Sequence, residues 1–328
     1  MSKQPLAQRA FAALCSSLLS INSIILISVG AAPFSLNPDQ AADVNFNPNV
    51  ARPAYTNKHP KVLFDEAHNN TETVSGHYKP FAELITNDGY TVTRNARSFT
   101  RSGLKGYDVL VIVNASGPQS QRASSAFTEE ECLAVRDWVN SGGGLLLVAD
   151  HLPFSSAMSV LSAKFEVDYT KGYTIDSSKY NRENEDQSEL VFSRDEGLVV
   201  DHPITRGRDA TERINRVFTF TGTSLKGPAS GVQFLKLSDS ALDVIPPPEA
   251  NPVSSGAAPL DHKQVSAAGR AQGLALISGK GRVVAIGEAA MLTAQVTPRG
   301  YRYGMNVAGT DNRQLVLNIV HWLSGLLN

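Results

Sequence analysis

Five residues are the ones whose types and placement could do chemistry together: Asp65, His68, Asp150, His151 and Glu288. Asp65 and His68 follow the short apolar run of "KVLFDEAHNN", Asp150 and His151 end the run Leu145–Ala149 in "GGGLLLVADHLPF", and Glu288 follows "RVVAIG". Carboxylate oxygen and imidazole nitrogen together suit a divalent cation such as zinc, manganese or calcium, and Asp65, His68, Asp150 and His151 are the candidate metal ligands. A bound metal would lower the pKa of a water molecule and turn it into a nucleophile. Without a metal, Asp150 could polarise His151 or His68 as a general base for water. Asp150, His151 and Glu288 are therefore the candidate catalytic groups.

Each of these residues also has a plainer role. Asp65 and Asp150 fit helix caps or Asx turns, and Glu288 fits a first helical turn, where the helix dipole favours an acid. Asp311 before the last helix is read as its cap. His202 and His321 are read as structural, and His77 has no assigned place. The recurrence of Asp/His pairs at two separate tips favours a site, since a purely structural domain has no need to gather them.

Side chains at strand tips share a rim only if their strands run in parallel. Leu145–Ala149 is continuously apolar, as in a strand covered on both faces. "YKPFAELITNDGY" predicts a helix over about Lys79–Asn87, stopped at Gly89, and "YTVTR" and "YDVLVIVNA" predict strands. "TEEECLAVRDWVNSGGG" predicts a helix capped by Thr128 with Glu131 in a capping box. "GLALIS" and "RVVAIG" predict a hairpin around Gly279-Lys280-Gly281, and "DNRQLVLNIVHWLSGLL" a closing amphipathic helix. The alternation implies an α/β fold with a doubly wound, mostly parallel sheet, and ligands of such sheets bind at the carboxyl ends of the strands. Residues 168 to 196 read as a polar, lid-like excursion, "SSAMSVLSAKF" and the stretch after Glu288 as helical, and Pro246 to Pro259 as a low-complexity surface loop.

These motifs in this order resemble the class I glutamine amidotransferase-like superfamily over roughly Lys61 to Leu327. The likeness is greatest to bacterial members akin to trehalose-utilisation-type proteins and gliding-motility transporter accessory domains. It implies a flavodoxin-like, amidotransferase-like sheet. It also implies a nucleophilic Cys after the strand Leu145–Ala149, where this chain has Asp150. Cys132, inside a predicted helix, is read as a packing residue, so amide transfer through a thioester is not expected.

The chain has 328 residues with 30 Lys+Arg against 31 Asp+Glu, so no charge excess points to nucleic acid. No G-x-S-x-G elbow, H-E-x-x-H or Walker A loop is present, and no nucleotide cofactor is expected. Residues 1–31 read as a signal peptide, with Lys3 and Arg9 before an apolar stretch and cleavage near Ala31. That places the protein in the bacterial periplasm or medium, with membrane contact only through this segment if it is uncleaved. Residues 32–60, rich in Pro and Asn, read as a linker or extended arm, and 61–328 as one domain with the 246–259 insertion. The expectation is an exported hydrolase of a small ester, lactone, amide or glycoside. The alternative is a non-catalytic ligand- or partner-binding domain of the cell envelope. A saccharide-binding module would need exposed aromatics, for which Phe154, Tyr169, Tyr173 and Tyr180 are the candidates.

Overall fold

The computed structural model describes residues 40–117, 125–247 and 262–328. Residues 1–31, expected to be a signal peptide and containing Cys15, and most of the Pro246–Pro259 loop lie outside these residues. All described residues belong to one compact unit.

The chain opens its sheet with β1 (Lys61–Asp65), α1 (Lys79–Asn87), β2 (Thr91–Asn95) and β3 (Val109–Val113). It continues with α2 (Glu129–Asn140), β4 (Gly144–Val148), β5 (Ala271–Ser278), β6 (Gly281–Ile286) and α3 (Asn312–Leu323). The strand order is β2-β1-β3-β4-β6-β5. The first five strands are parallel, and β5 runs antiparallel to β6 through the expected hairpin. Short antiparallel strands at 225–226, 168–169 and 232–236 extend the β5 edge. The fold is thus mixed α/β around a large central sheet. Its chain order reverses between β1 and β3, the place where open α/β sheets bind ligands.

Alternation along each strand separates two cores. Val62, Phe64, Val111, Leu146 and Ile286 face one cluster with α1 and α3 residues such as Phe81 and Ile319. Leu63, Leu110, Leu145, Leu147 and Ala285 face the other, with Val135 and Val139 of α2. The sheet is therefore covered on both faces, which explains why its strands read as unbroken apolar runs. α2 starts in the predicted capping box, with Glu131 N–H donating to Thr128 Oγ1 and Thr128 N–H donating back to Glu131 Oε2. Gly89 ends α1 at φ +101°, and Tyr55 O lies 1.9 Å from where its Cβ would be.

Four expectations about the connections need correction. The polar excursion after 168 is not a lid-like loop. Tyr173–Asp176 joins a small antiparallel sheet with Ala241–Ile245 and Lys263–Ser266, and Asp186–Ser193 joins another with Tyr180–Asn181 and Arg216–Phe218. The stretch after Glu288 is a single 3-10 turn, Ala290–Leu292, followed by the strand Ala294–Val296. "SSAMSVLSAKF" forms two short helical turns rather than one helix. Asp311 occupies the N-cap position of α3 without capping it, because its Oδ2 accepts from the backbone N–H groups of Asn215 and Arg216. The described part of the N-terminal segment is an arm laid on the domain: Ala41-Ala42 pairs with Gln295-Val296, and Phe46, Val50 and Tyr55 pack on the core.

Candidate active site

The tips of β1, β3, β4 and β6 carry Asp65, Asn114, Asp150 and Glu288, so the parallel register brings four polar side chains to one rim. The loop after β1 is laced to the loop after β3. Asn70 Nδ2 donates to Val113 O at 2.9 Å, Ser116 N–H donates to His68 O at 3.0 Å and Ser116 Oγ donates to Asn69 O at 2.8 Å. Both polar groups of Ser116 are thus taken up in tying these two loops together.

The rim divides into two clusters. In the first, Asp65 and His68 are both buried. His68 Nδ1 lies 2.8 Å from Asp65 Oδ2, and its Nε2 lies 2.9 Å from Glu131 Oε1. Both ring nitrogens thus face carboxylates, which an imidazolium satisfies as a double donor. Asp65 also accepts from the side-chain amides of Asn70 and Asn95. Glu131 accepts from Phe99 N–H as well as closing the capping box. Burial opposes charge on His68, but the bonds from Asp65 and Glu131 outweigh it and raise its pKa. Burial likewise opposes charge on Glu131, yet hydrogen bonds from Thr128 N–H and His68 hold it down at about 2. The rings of Phe99 and Phe127 flank the imidazole, each with its centroid 4.7 Å away.

The second cluster is built differently. Asp150 is half-buried, and its N–H donates to Asn114 Oδ1 at 2.9 Å while Asn114 Nδ2 reaches back to Asp150 Oδ2 at 3.4 Å. Asn114 does this from a left-handed backbone, φ +44°, a conformation asparagine tolerates better than most residues. Asp150 Oδ1 is buried and makes no hydrogen bond of normal geometry, although Ala289 N–H lies near enough to favour its charge. Glu288 is wholly buried; Ala290 N–H donates to its Oε1 at 2.5 Å and Met291 N–H to its Oε2 at 2.7 Å. Gly222 closes over it, since a Cβ there would stand 2.6 Å from Glu288 Cβ.

Burial pushes the Asp150 carboxyl up to about 6 against the opposing pull of His151 and the Asn114 amide, and the charge of Glu72 adds to the rise. Burial, and then the charge of Asp150, hold Glu288 well above the usual carboxylate range despite its backbone N–H partners. The two acids share one electrostatic problem: both cannot ionise cheaply side by side. His151 is half-buried with Nδ1 2.9 Å from Leu152 O. Glu72 Oε2 lies 3.1 Å from His77 Nδ1, which gives His77 its place on this rim. Tyr78 donates its hydroxyl to Ala289 O beneath it.

No family model and no curated protein matches this chain. Its likeness is to solved structures. The mmIFT52 N-terminal domain superposes with a TM-score of 0.54 at 14% identity, over 81% of this chain and 97% of that one. That likeness is one of fold. A ThuA-like protein from Bacteroides uniformis ATCC 8492 matches with a TM-score of 0.43 at 14% identity, over 83% and 95% of the two chains. Cytoplasmic Protein STM3548 from Salmonella typhimurium matches with a TM-score of 0.47 at 10% identity, over 80% and 98%.

The structure therefore separates the candidate residues. Asp150 and Glu288 stand together, with His151 bearing on Asp150. The metal-ligand set Asp65, His68, Asp150 and His151 does not act as one group, because Asp65 and His68 direct their polar atoms to each other and to Glu131. Among the described residues, no group of three or more His, Cys, Asp and Glu side chains is disposed to hold a metal ion. Cys132 is buried in α2, and burial pushes its thiol up to about 11, the opposite of an activated nucleophile. His202 caps a short helical turn through Ile204 N–H, and His321 Nε2 lies 2.6 Å from buried Asp88, so both are structural. Phe154, Tyr169 and Tyr173 are core residues, and the aromatic face a saccharide module would need does not form from them.

Asn114, Glu72 and the second role of Glu131 were not visible as site features in the sequence. Asn114 had a usable signal: it ends an apolar run just as Asp65 and Asp150 do.

Proposed function

We propose that the chain is a hydrolase in which Asp150 activates water at the rim between β3, β4 and β6. The supporting observation is the paired carboxylates, Asp150 reachable and Glu288 sealed beneath it, at the carboxyl ends of parallel strands. Above about pH 6 Asp150 ionises and can take a proton from water, while burial and the Asp150 charge both favour the protonated form of Glu288. Asn114 fixes the carboxylate plane, and His151 tunes its charge. The substrate is a small ester, lactone, amide or glycoside. The motif order supports membership of the amidotransferase-like superfamily, with Asp150 at the place of the missing nucleophilic Cys, so attack falls to water rather than to a thiol. Residues 1–31 support export to the periplasm or medium, which N-terminal sequencing of the mature protein tests directly.

The test is a hydrolase screen of purified protein, followed by Asp150→Asn with its melting temperature recorded. The expected result is a folded variant with activity reduced about 100-fold or more. Full activity in folded Asp150→Asn would remove Asp150 from the chemistry, and no hydrolysis of any substrate class would leave a binding domain of the cell envelope on the same scaffold. A chelator arm separates the two routes to an activated water: insensitivity assigns it to Asp150 alone, and loss restored by zinc, manganese or calcium assigns it to a metal at Asp150 and His151.

A further inference from the structure

The arm meets the loop after β1 through a titratable side chain. His77 stands between Glu72 of its own loop and Gln40 of the arm: its Nδ1 lies 3.1 Å from Glu72 Oε2, and its Nε2 lies 3.2 Å from Gln40 O. Glu72 is buried and His77 half-buried. A carboxylate and a backbone carbonyl are both acceptors, so only an imidazolium, with a proton on each nitrogen, satisfies the two together. A neutral ring has one N–H to give. The charge-assisted bond to Glu72 is the stronger, so Nδ1 keeps its proton and Nε2 turns a lone pair on Gln40 O. Deprotonation therefore breaks the bond to the arm and leaves the bond within the loop.

The arm is lightly held at this point. Ala41-Ala42 forms a ladder of two residues with Gln295-Val296, and short terminal pairings open at little cost. Beyond them the arm is fixed. Asp43 N–H donates to Ala294 O at 2.8 Å, Asp43 Oδ2 accepts from Asn306 Nδ2 at 2.9 Å, and Phe46, Val50 and Tyr55 pack on the core.

The bond to Glu72 raises the His77 pKa; burial opposes it, and the charge of Glu72 and the Gln40 carbonyl add to the rise. The titratable neighbours change charge elsewhere. Burial raises Tyr78, and it raises Tyr303, whose side chain bonds that of Gln40, so both stay neutral. Burial opposes charge on Asp43, but bonds from Asn306 and Asn45 N–H outweigh it and lower its pKa. Asp150, which also feels Glu72, titrates at about 6, below His77.

We propose that Glu72, His77 and Gln40 form a pH-sensitive latch: the imidazolium clasps Gln40–Ala42 of the arm to the loop after β1, and loss of its Nε2 proton to solvent frees them. A raised folded pKa means that the latch is closed below 6.5 and opens as pH climbs through the higher folded value. Opening also leaves the charge of Glu72, which bears on Asp150, without its counter-charge, so the state of the arm is felt at the rim.

Hydrogen–deuterium exchange of the full-length protein between about pH 5 and 9 tests this, expressed as protection relative to the intrinsic rate at each pH. The His77 ring is followed by NMR of histidine-labelled protein. Protection across Gln40–Ala42 falls about tenfold, the scale of one hydrogen bond, with a midpoint that coincides with the His77 titration, while β4 keeps its protection. Glu72→Gln removes the charge that holds the proton and moves both midpoints to lower pH together. His77→Gln, its melting temperature recorded alongside, leaves the protection of Gln40–Ala42 flat over the same range. Flat protection through the wild-type His77 titration, a His77 titration at or below 6.5, midpoints that part in Glu72→Gln, or pH-dependent opening that survives in folded His77→Gln would overturn the proposal.

Discussion

Two acid clusters stand on one rim, and they solve opposite problems. At Asp65–His68–Glu131 every charge has a counter-charge and every buried polar atom named there has a partner. At Asp150–Glu288 two like groups are buried together, and one oxygen is left without a normal hydrogen bond. The first arrangement fastens the loop after β1 to the start of α2. The second holds an acid whose ionisation is delayed toward neutral pH. Fully satisfied networks rigidify, while incompletely compensated ones concentrate where chemistry is done.

The comparison breaks most visibly under charge-removing, shape-preserving substitution. Asp150→Asn should lose about 100-fold or more in hydrolytic rate and become more stable. The sign follows from its raised pKa: the folded state favours the protonated acid, so wild-type stability is fully present below the ordinary value of 3.8 and is lost as pH climbs through about 6. Asn never ionises. The gain should be absent below about pH 3.8, grow as pH rises toward 6 and level off above it at no more than about 3 kcal/mol. Asp65→Asn should do the reverse, costing about 3 kcal/mol because it leaves His68 with one counter-charge fewer in a buried place. Chemical denaturation of both variants across pH checks the pair. Equal destabilisation by both would erase the distinction between the clusters.

A smaller effect separates them by pH alone. His68 has a raised folded pKa, so its contribution is fully present below 6.5 and fades as pH rises through the higher folded value. His68→Gln should therefore be destabilised by about 1–2 kcal/mol in mild acid, with the gap to wild type narrowing in alkali. Glu131, held near 2, sets the other edge: its contribution is present above 4.5 and is lost only as pH falls toward 2. A His68→Gln deficit that widens with rising pH would contradict an imidazolium held between two carboxylates.

The elements were legible where the signal is local. The bounds of α1, the capping box of α2, the apolar run of β4 and the Gly279-Lys280 hairpin all follow from spacing within a few residues. The misread excursion shows the limit. Turn-forming residues in "SSKYNRENEDQ" dominate its composition, while the strand signal in Asp186–Ser193 is a short alternation that gains meaning only against its partner strands. The site was legible as a list of tips but not as two groups. His68 and Asp65 share a sequence motif, yet what removes them from the open cluster is Glu131, 63 residues away in a helix whose cap it also completes. Glu72 acts through position alone, and Asn114 shows only the strand-tip placement it shares with Asp65 and Asp150.

Cys132 offers a control outside both clusters. It is buried in the core cluster that also holds Val135 and Leu147. Cys132→Ala should cost about 1 kcal/mol through the small cavity it leaves and should leave any hydrolytic activity intact. Loss of activity in a folded Cys132→Ala protein would restore thiol chemistry to consideration.

The finest test sharpens the open cluster from within. Glu72 raises the pKa of Asp150 and His151 lowers it, so the two neighbours pull in opposite directions. Glu72→Gln should move the Asp150 titration to lower pH, and His151→Gln should move it higher, each by roughly half a unit. Carboxyl-selective NMR follows the titration directly and needs no substrate. If hydrolysis is found, the acid limb of kcat/KM should shift the same way, because that limb reports the free enzyme's essential base. Residues that merely pack beside Asp150 would change its burial, and any loosening would lower its pKa in both variants. Shifts of opposite sign can come only from opposite charges acting on one carboxylate; shifts of the same sign would mean that burial alone sets it, and that Glu72 and His151 have no part in the chemistry.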